Sequence, residues 1–228
     1  MQYYPAHLDL RGCACVVIGG GEIGARKVAT LLEAGARVTV VSPTLTPALA
    51  DLAATREIVH HARPYRRGDL AGVWLAVAAT GDEAVHAEIA AEAADARIFL
   101  NVVDRPRLCS FIVPAIVTRG PVTLSVSTGG ASPALAKRLA GEVRAAFGPE
   151  WGLAASVLGA LRKRLPSGAA TARAFTALAD APLIDALRAR DAGRVDALLA
   201  RHLDAAPTLA TLGIDLAAAP SDDGTPAP

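Results

Sequence analysis

The sequence has few aromatic residues and almost no net charge. Only 4% of its 228 residues are Phe, Trp or Tyr whereas 52% are hydrophobic, so a core has to be built mainly from Ala, Val, Leu and Ile. Lys and Arg together number 23, and Asp and Glu together number 22. A protein that coats a polyanion needs a clear excess of basic residues. This balance therefore argues against a nucleic-acid partner.

Cysteines and long apolar runs are also scarce. The three cysteines, Cys13, Cys15 and Cys109, lack the paired spacing of a zinc site, which favours buried reduced thiols over disulfides. The first residues show no basic stretch followed by an apolar run, which argues against a secretory signal. No apolar run approaches the roughly 20 residues that cross a bilayer, so no membrane partner is expected. The predicted location is the cytoplasm.

The first half of the chain alternates between short apolar runs and segments with helical spacing. The apolar runs "CACVVIG", "RVTVVSP", "VWLAVAAT" and "RIFLNVV", with a further short run near 57–60, predict buried strands. Helices are predicted between them, over 22–33, 47–54 and 82–95. Strands and helices that alternate with short joins predict a parallel sheet covered by helices.

A glycine motif follows the first predicted strand. Gly19, Gly21 and Gly24 have the spacing G-x-G-x-x-G and open a predicted helix. The first glycine permits the tight turn, the second lets a pyrophosphate approach the backbone, and the third lets helix and strand pack closely. The N–H groups at the helix N-terminus then attract the phosphates. Within a strand-helix-strand unit, this motif predicts dinucleotide binding by a Rossmann-like domain.

The acidic residue that usually binds the ribose is missing. It is expected about 20 residues further on, at the end of the second strand, where this chain has Ser42-Pro43-Thr44. Backbone groups and the hydroxyls of Ser42 or Thr44 are left to bind the ribose. Such contacts leave room for a 2′-phosphate, yet no arginine at the strand end would bind it. The predicted cofactor is therefore NAD, with NADP left open by the physical argument alone.

The pattern changes after residue 110. Two β-rich runs around the turn signal "TRGP" predict an antiparallel hairpin at 111–127, and Ser132-Pro133 is a good helix start. The predicted fold is α/β: a Rossmann-like parallel sheet, then an antiparallel β-hairpin dimerisation segment, then a small C-terminal helical domain. The predicted bounds are 1–110 for the sheet domain, 111–148 for the hairpin and its helix, 149–212 for the helical domain, and 213–228 for a disordered tail.

Four stretches together resemble a known family. They are "VVIGGGEIGARKVATLLEAGARVTVVSP", "WLAVAAT", "NVVDRPRLCSFIVPAIV" and "VSTGGASPALAKRLA". Their order and spacing, over roughly residues 1–150, resemble the precorrin-2 dehydrogenases of sirohaem synthesis, including the N-terminal module of bifunctional sirohaem synthases. No methyltransferase domain follows, so the chain resembles the free-standing form.

The resemblance implies an NAD-dependent oxidation of precorrin-2 to sirohydrochlorin, and a homodimer joined through the hairpin region. Some members also insert ferrous iron to make sirohaem, with iron as a substrate. The family's cofactor contacts fall on Glu22, Ile23, Pro43 and Thr44, so the missing acid is a feature of the family. The predicted cofactor-binding residues are Gly19, Gly21, Glu22, Ile23, Gly24, Ser42, Pro43, Thr44 and Thr80.

Asp104, in "NVVD", is the predicted catalytic residue because it matches the family's key aspartate. A carboxylate at the carboxyl end of a parallel strand faces the crevice where the cofactor binds, and it can accept the proton that accompanies hydride loss. Taken alone, the residue is more typical of a cap on the turn into Arg105-Pro106, and the family resemblance favours the catalytic interpretation instead.

The substrate carries eight carboxylates, so cations and polar turns are expected around it. Each cation taken alone is more typical of a solvated surface charge, whereas the turn "STGGASP" fits an anion-binding turn and an ordinary strand-to-helix join about equally. The predicted substrate-binding residues are Asn101, Arg105, Arg119, Thr128, Gly129, Lys137 and Arg138.

Other candidates are interpreted as structural. His60-His61 point to opposite faces of a strand and make a poor chelating pair, so no permanent metal site is predicted. His86 is interpreted as a surface histidine and Cys109 as a buried thiol. The alternative function is a non-catalytic NAD-sensing regulatory domain, although such domains normally keep the acid after the second strand.

Overall fold

The computed structural model describes residues 3–179, 181–203 and 207–217. The chain forms two compact units. The first contains the chain up to Val113 together with Gly129–Ala131, and the second contains Pro114–Thr128 and the chain from Ser132 onward. Within the described ranges, no helix is both long enough and apolar enough to cross a membrane.

The first unit is built on a parallel sheet of five strands. The strands are β1 (Ala14–Ile18), β2 (Arg37–Val41), β3 (Ile58–His61), β4 (Leu75–Ala78) and β5 (Phe99–Val102). Their order in the sheet is β3-β2-β1-β4-β5. Ile18 lies in register with Val41 on one side and with Ala78 on the other. The strand order therefore reverses between β1 and β4, the position at which open parallel sheets bind ligands.

Helices cover both faces of this sheet. They are α1 (Glu22–Glu33), α2 (Pro47–Ala54) and α3 (Glu83–Ala96). Val17 belongs to the cluster that contains Val28 of α1, whereas its neighbour Val16 belongs to the cluster that contains Ile89 of α3. Successive residues of a strand point to opposite faces, so a strand buried on both faces has to be continuously apolar. This explains the unbroken run "CVVI".

A buried carboxylate, Glu92 of α3, organises the long connection between β3 and β4. It accepts hydrogen bonds from the Tyr65 hydroxyl, from the Gly68 N–H (3.0 Å) and from the Leu70 N–H (2.9 Å). Burial alone would favour the neutral acid, but these three donors outweigh it and hold the pKa of Glu92 below its usual value. The charged form is therefore part of the folded structure.

Replacing Glu92 with Gln is expected to destabilise the protein by about 1.5–3 kcal/mol at neutral pH, because the amide turns a donor toward groups that donate. A carboxyl whose pKa is lowered on folding stabilises the protein above its unfolded pKa. This contribution is lost as the pH falls through the lower folded value, so the difference from wild type should shrink at acid pH. Urea denaturation at several pH values measures it. Glu88→Gln, on the exposed side of the same helix, is the control and should have little effect. An equal loss in both variants would contradict the role given to Glu92.

The second unit begins with an antiparallel pair, β6 (Ala115–Arg119) and β7 (Val122–Val126). It is followed by α4 (Pro133–Ala146), whose N-cap Ser132 accepts a hydrogen bond from the Leu135 N–H (3.2 Å). The remaining helices are α5 (Pro149–Arg162), α6 (Ala169–Leu178), α7 (Ala181–Arg188), α8 (Ala192–His202) and α9 (Leu209–Leu212). These five helices share one core of buried leucines and valines.

The predicted fold class is confirmed in its three parts: the parallel sheet, the antiparallel strand pair and the helical segment. The helices predicted over 22–33 and 47–54 have those bounds. The four-part division of the chain stays a prediction. Residues 218–228 of the predicted tail lie outside the described residues, whereas Leu216 is buried with the helical core.

Candidate active site

The glycine loop joins β1 to α1 at the carboxyl edge of the sheet. Gly19 has a φ of 119°, and a Cβ there would collide with the Ala79 carbonyl. A Cβ on Gly24 would collide with the Gly19 carbonyl, whereas one on Gly21 would meet nothing within 4 Å. The first and third glycines are therefore required by the protein's own packing. Gly21 instead faces open space, where a ligand can approach the backbone.

The first turn of α1 fits the diphosphate of a dinucleotide. Its N-cap is Gly21, whose lack of a side chain leaves the first N–H groups without a side-chain cap. Glu22 and Ile23 follow at the exposed start of the helix. Uncapped N–H groups at a helix N-terminus bind anions, and here they lie beside the open space over Gly21. The residues present therefore fit the predicted cofactor.

Gly20 is a further glycine that the motif does not demand. A Cβ on it would collide with the Thr44 carbonyl and lie 2.9 Å from the Ser42 hydroxyl oxygen. The Gly20 carbonyl accepts a hydrogen bond from the Thr46 N–H (2.9 Å). The glycine loop is thus packed directly against the segment that follows β2. The only signal in the sequence is the run of three successive glycines.

The segment after β2 contains the predicted ribose contacts. Ser42 is buried, and both its main-chain groups bind β3: its N–H donates to the His61 carbonyl (3.2 Å), and its carbonyl accepts from His60 Nε2 (2.9 Å). Pro43 and Thr44 are exposed. His60 therefore fixes the position of this segment, a role that its interpretation as a poor metal ligand did not include.

Thr80 follows β4, across the reversal point from the glycine loop, and is half-buried. Its carbonyl accepts a hydrogen bond from His86 Nε2 (2.8 Å). The interpretation of His86 as a surface histidine is wrong, because only 5% of the residue is exposed. Its Nδ1 has no hydrogen-bond partner among the described residues. The sequence does not reveal this contact, because the contact depends on how the first turn of α3 places the His86 ring against the preceding loop.

Asp104 lies just past the carboxyl end of β5, in a tight turn. The turn is closed by a hydrogen bond from the Arg105 N–H to the Val102 carbonyl (3.2 Å). Asp104 is exposed and has a φ of 59°, in the left-handed region. Turns with positive φ at the third residue favour Gly or Asn, so an Asp there costs some stability. Strained residues of this kind cluster at active sites.

Two predicted substrate residues next to this turn bind other residues of the first unit. The Asn101 amide donates to the Phe111 carbonyl (3.2 Å), which ties the returning chain to β5. The Arg105 guanidinium forms an ion pair with Glu83, and both side chains are substantially exposed. An exposed pair contributes little stability, so it can exchange for another carboxylate at small cost.

Arg119, in the second unit, does not have the surface position expected of a substrate contact. It is 6% exposed, and its guanidinium donates to the main-chain carbonyls of Phe147 (2.8 Å) and Arg144 (2.8 Å) near the end of α4. A cation there satisfies carbonyls that the helix leaves unpaired and interacts favourably with its dipole. This contact gives Arg119 a structural role at the end of α4, and its predicted contact with the substrate stays a prediction.

The other predicted substrate residues lie on or before α4. The Thr128 hydroxyl donates to the Ser132 carbonyl (3.1 Å) and accepts from its N–H (3.1 Å). Gly129 has a φ of 64°. Lys137 and Arg138 are exposed on the helix, with Arg138 paired to Glu142 at 3.3 Å. Thr128 therefore closes the turn before α4, and Lys137 and Arg138 are exposed cations on that helix.

Within the described residues, no group of three or more His, Cys, Asp or Glu side chains could hold a metal ion. The three cysteines are free thiols, and burial raises the pKa of Cys15 to about 11.

Two family models match the chain in sequence order. A model described as putative NAD(P)-binding matches residues 6–115, and one described as sirohaem biosynthesis protein central matches residues 119–144. Siroheme synthase 3 of Aeromonas hydrophila is 42% identical over 165 residues, which are 72% of this chain and 35% of that protein. The siroheme synthase of Chromobacterium violaceum is 37% identical over 209 residues, 90% of this chain and 44% of that protein. The chain thus spans less than half the length of these curated relatives.

A solved structure, that of SirC, precorrin-2 dehydrogenase, shares the fold with a TM-score of 0.74 and 25% sequence identity, over 88% of this chain and 98% of that one. The predicted resemblance is confirmed, and the NAD(P)-binding match supports a nicotinamide cofactor. The fold, the two family models and the relatives agree: the chain belongs to the precorrin-2 dehydrogenase and sirohaem synthase family.

Proposed function

We propose that the protein is an NAD-dependent dehydrogenase that oxidises precorrin-2 to sirohydrochlorin. One observation carries the proposal. Asp104, an exposed carboxylate with φ in the left-handed region, lies in a turn at the same edge of the sheet as the glycine loop. The glycine loop follows β1 and Asp104 follows β5, with β4 between these two strands, so both lie at the carboxyl ends of the strands, where this fold binds its ligands. The family membership supplies the substrate class.

In this mechanism the chain binds and orients the cofactor and the substrate, and it removes a proton from the substrate. The N–H groups of α1 and the open backbone at Gly21 bind the diphosphate, and Ser42, Pro43 and Thr44 hold the ribose. Nicotinamide supplies the hydride acceptor when the cofactor is bound. Asp104 accepts the proton that leaves the tetrapyrrole, so the loss of two hydrogens yields one reduced cofactor and one proton. Thr80, whose carbonyl binds His86, follows β4, and residues 42–44 follow β2; these two strands lie on opposite sides of β1.

The preference for NAD over NADP is part of the proposal. The first arginine after β3, Arg63, forms two hydrogen bonds with Asp69 (2.8 and 2.6 Å), which lower the pKa of that carboxyl and neutralise the guanidinium. Arg63, which follows the neighbouring strand β3, is therefore already paired with Asp69 and does not offer a free charge to a 2′-phosphate beside Thr44. We expect kcat/KM to favour NAD by about tenfold or more, the effect of one missing charge-assisted hydrogen bond. Steady-state kinetics with both cofactors measures the ratio, and equal values would contradict the preference.

We propose that the substrate's carboxylates are bound by Arg105, Lys137 and Arg138, with Asn101, Thr128 and Gly129 shaping the surrounding turns. The exposure of the three cations and the weak pairing of Arg105 and Arg138 support this assignment. Arg119 is left out because its guanidinium is bound to helix carbonyls.

We propose a homodimer joined through the second unit. Ile116 of β6 and Leu135 and Leu139 of α4 are exposed hydrophobic residues, with 37%, 48% and 39% of their surface accessible. A two-stranded sheet with unpaired edges is normally covered by another element. Light scattering should give a mass near twice the 23.3 kDa of one chain. A monomer mass at micromolar concentration would contradict the dimer.

We place the enzyme in the cytoplasm, where its three thiols stay reduced.

The dehydrogenase is tested by incubating the protein with precorrin-2 and NAD and following NADH absorbance. The proposal predicts one NADH for each sirohydrochlorin formed, and the absence of NADH above a protein-free control removes it. Ferrous iron insertion into sirohydrochlorin is tested separately by spectrum, because a carboxylate at 104 suits removal of the pyrrole protons as well. An uncatalysed rate there leaves the dehydrogenase alone.

A further inference from the structure

We propose that the Cys109 thiol positions Asp104 for catalysis by tying together both ends of the turn that carries it. The inference rests on the proposed function, because it assigns Cys109 to the same reaction. Neither the glycine motif nor the proton transfer uses this thiol. Its surroundings nevertheless consist of the polar groups that define the catalytic turn.

The sulfur contacts both residues that flank the turn. On one side the Val102 N–H donates to Cys109 Sγ (3.2 Å), and Sγ lies 3.2 Å from the Val102 carbonyl oxygen. On the other side Sγ lies 3.4 Å from the Arg105 carbonyl oxygen. Val102 and Arg105 are the first and last residues of the turn, and their own hydrogen bond closes it. One side chain thus holds the two ends of the segment in which Asp104 is strained.

The thiol is itself held in place by the chain around it. Ser110 pairs with β5, since its N–H donates to the Leu100 carbonyl (2.9 Å) and its hydroxyl accepts from the Leu100 N–H (2.7 Å). The Asn101 amide lies 3.7 Å from Sγ and also binds the Phe111 carbonyl. The segment 109–111 is therefore anchored along β5, and Cys109 points from this anchor into the turn.

The protonation state of the thiol suits this role. Burial raises the pKa of Cys109, and the hydrogen bond from the Val102 N–H only partly offsets that effect. At neutral pH the group therefore keeps its proton. The S–H can donate to the Val102 or the Arg105 carbonyl while the sulfur accepts from the Val102 N–H. A thiolate could accept but not donate, so it would lose the contacts to both carbonyls.

Such support matters because the left-handed conformation at φ 59° costs an Asp some stability. A strained residue persists only where the surrounding structure fixes it, and Cys109 supplies side-chain contacts to both ends of the turn. Displacing a catalytic group by about 1 Å costs roughly a hundredfold in rate. Loss of the thiol should therefore reduce proton transfer while leaving the cofactor site, which lies after other strands, intact.

The experiment compares Cys109→Ala and Cys109→Ser in the full-length protein, with Cys13→Ala as the matched control. Cys13 is also half-buried in the first unit, and its thiol forms a hydrogen bond with the Asp9 carbonyl, at 3.7 Å, far from the turn of Asp104 in the sequence. Cys109→Ala is expected to lower kcat by about tenfold to a hundredfold with the Kd for NAD unchanged. The hydroxyl of Cys109→Ser should restore most of kcat, and Cys13→Ala should match wild type.

A double-mutant cycle with Asp104→Asn separates positioning from general damage. If Cys109 acts through Asp104, adding Cys109→Ala to Asp104→Asn should cost less than about twofold in the residual rate, because coupled sites are not additive. Full additivity, or a parallel loss of NAD affinity, overturns the inference. A wild-type kcat in Cys109→Ala overturns it as well. If Cys109→Ala does not fold, Cys109→Ser and its cycle decide by the same criteria. These failures leave the proposed function standing, which falls only if the wild type itself forms no NADH.

Discussion

Replacing Asp104 with Asn is expected to abolish most of the turnover and leave NAD binding unchanged. Asn has nearly the same size and tolerates the left-handed conformation that Asp104 adopts at φ 59°, so the turn should be preserved. The amide cannot accept the proton. Loss of a general base lowers kcat by about a hundredfold to ten-thousandfold. Single-turnover kinetics with precorrin-2, together with titration of NAD, measure the two effects separately.

Asp51→Asn is the control, since Asp51 is an exposed carboxylate on α2. A third variant, Asp104→Gly, should also be inactive but should unfold at a higher temperature, because glycine occupies the left-handed region without strain. This combination of lower activity and higher stability marks a residue kept for function. If Asp104→Asn retains wild-type kcat, the carboxylate is not the base, and a non-catalytic NAD sensor gains support.

Replacing Gly21 with Val is expected to abolish NAD binding without unfolding the protein. Among the described residues, a Cβ at this position meets no atom within 4 Å, so the fold has room for a side chain, while the open space proposed for the diphosphate is filled. Losing charge-assisted hydrogen bonds to backbone N–H groups, at roughly 1.5–3 kcal/mol each, weakens binding by about a hundredfold or more. Val is a poorer N-cap than Gly, so a stability loss of up to about 1 kcal/mol is expected.

The matched control is Gly159→Val in α5 of the second unit, because a Cβ on Gly159 would likewise meet no atom within 4 Å. Calorimetric titration of NAD should separate the two variants, while their thermal unfolding should be similar. Unchanged NAD affinity in Gly21→Val would mean that the dinucleotide binds elsewhere.

The sequence predicted the elements whose residues are fixed by period and by chain geometry. The apolar run before Gly19 and the spacing from Glu22 to Glu33 predicted β1 and α1, because burial on both faces of a strand and on one face of a helix leaves a readable pattern. The sequence also predicted why Gly19 and Gly24 are glycines, because a strand that turns directly into a helix brings the two backbones close together.

The side-chain partners could not be read in the same way, because they depend on contacts between residues distant in sequence. Arg119 binds carbonyls 25 and 28 residues further along the chain, so its charge alone suggested a surface role. His60 reaches the carbonyl of Ser42, which directly follows the neighbouring strand and lies 18 residues away in the sequence. Cys109 returns to Val102 across a turn whose conformation the sequence does not reveal. The residues assigned to cofactor and substrate stay predictions until ligands are bound.

The most direct test is a crystal structure of the protein with NAD and sirohydrochlorin bound. We expect the diphosphate over Gly21 and the carboxylate of Asp104 within hydrogen-bond reach of the macrocycle, on the side that faces the nicotinamide. A macrocycle bound away from the carboxyl end of β5, or a carboxylate of Asp104 turned away from it, would contradict the mechanism.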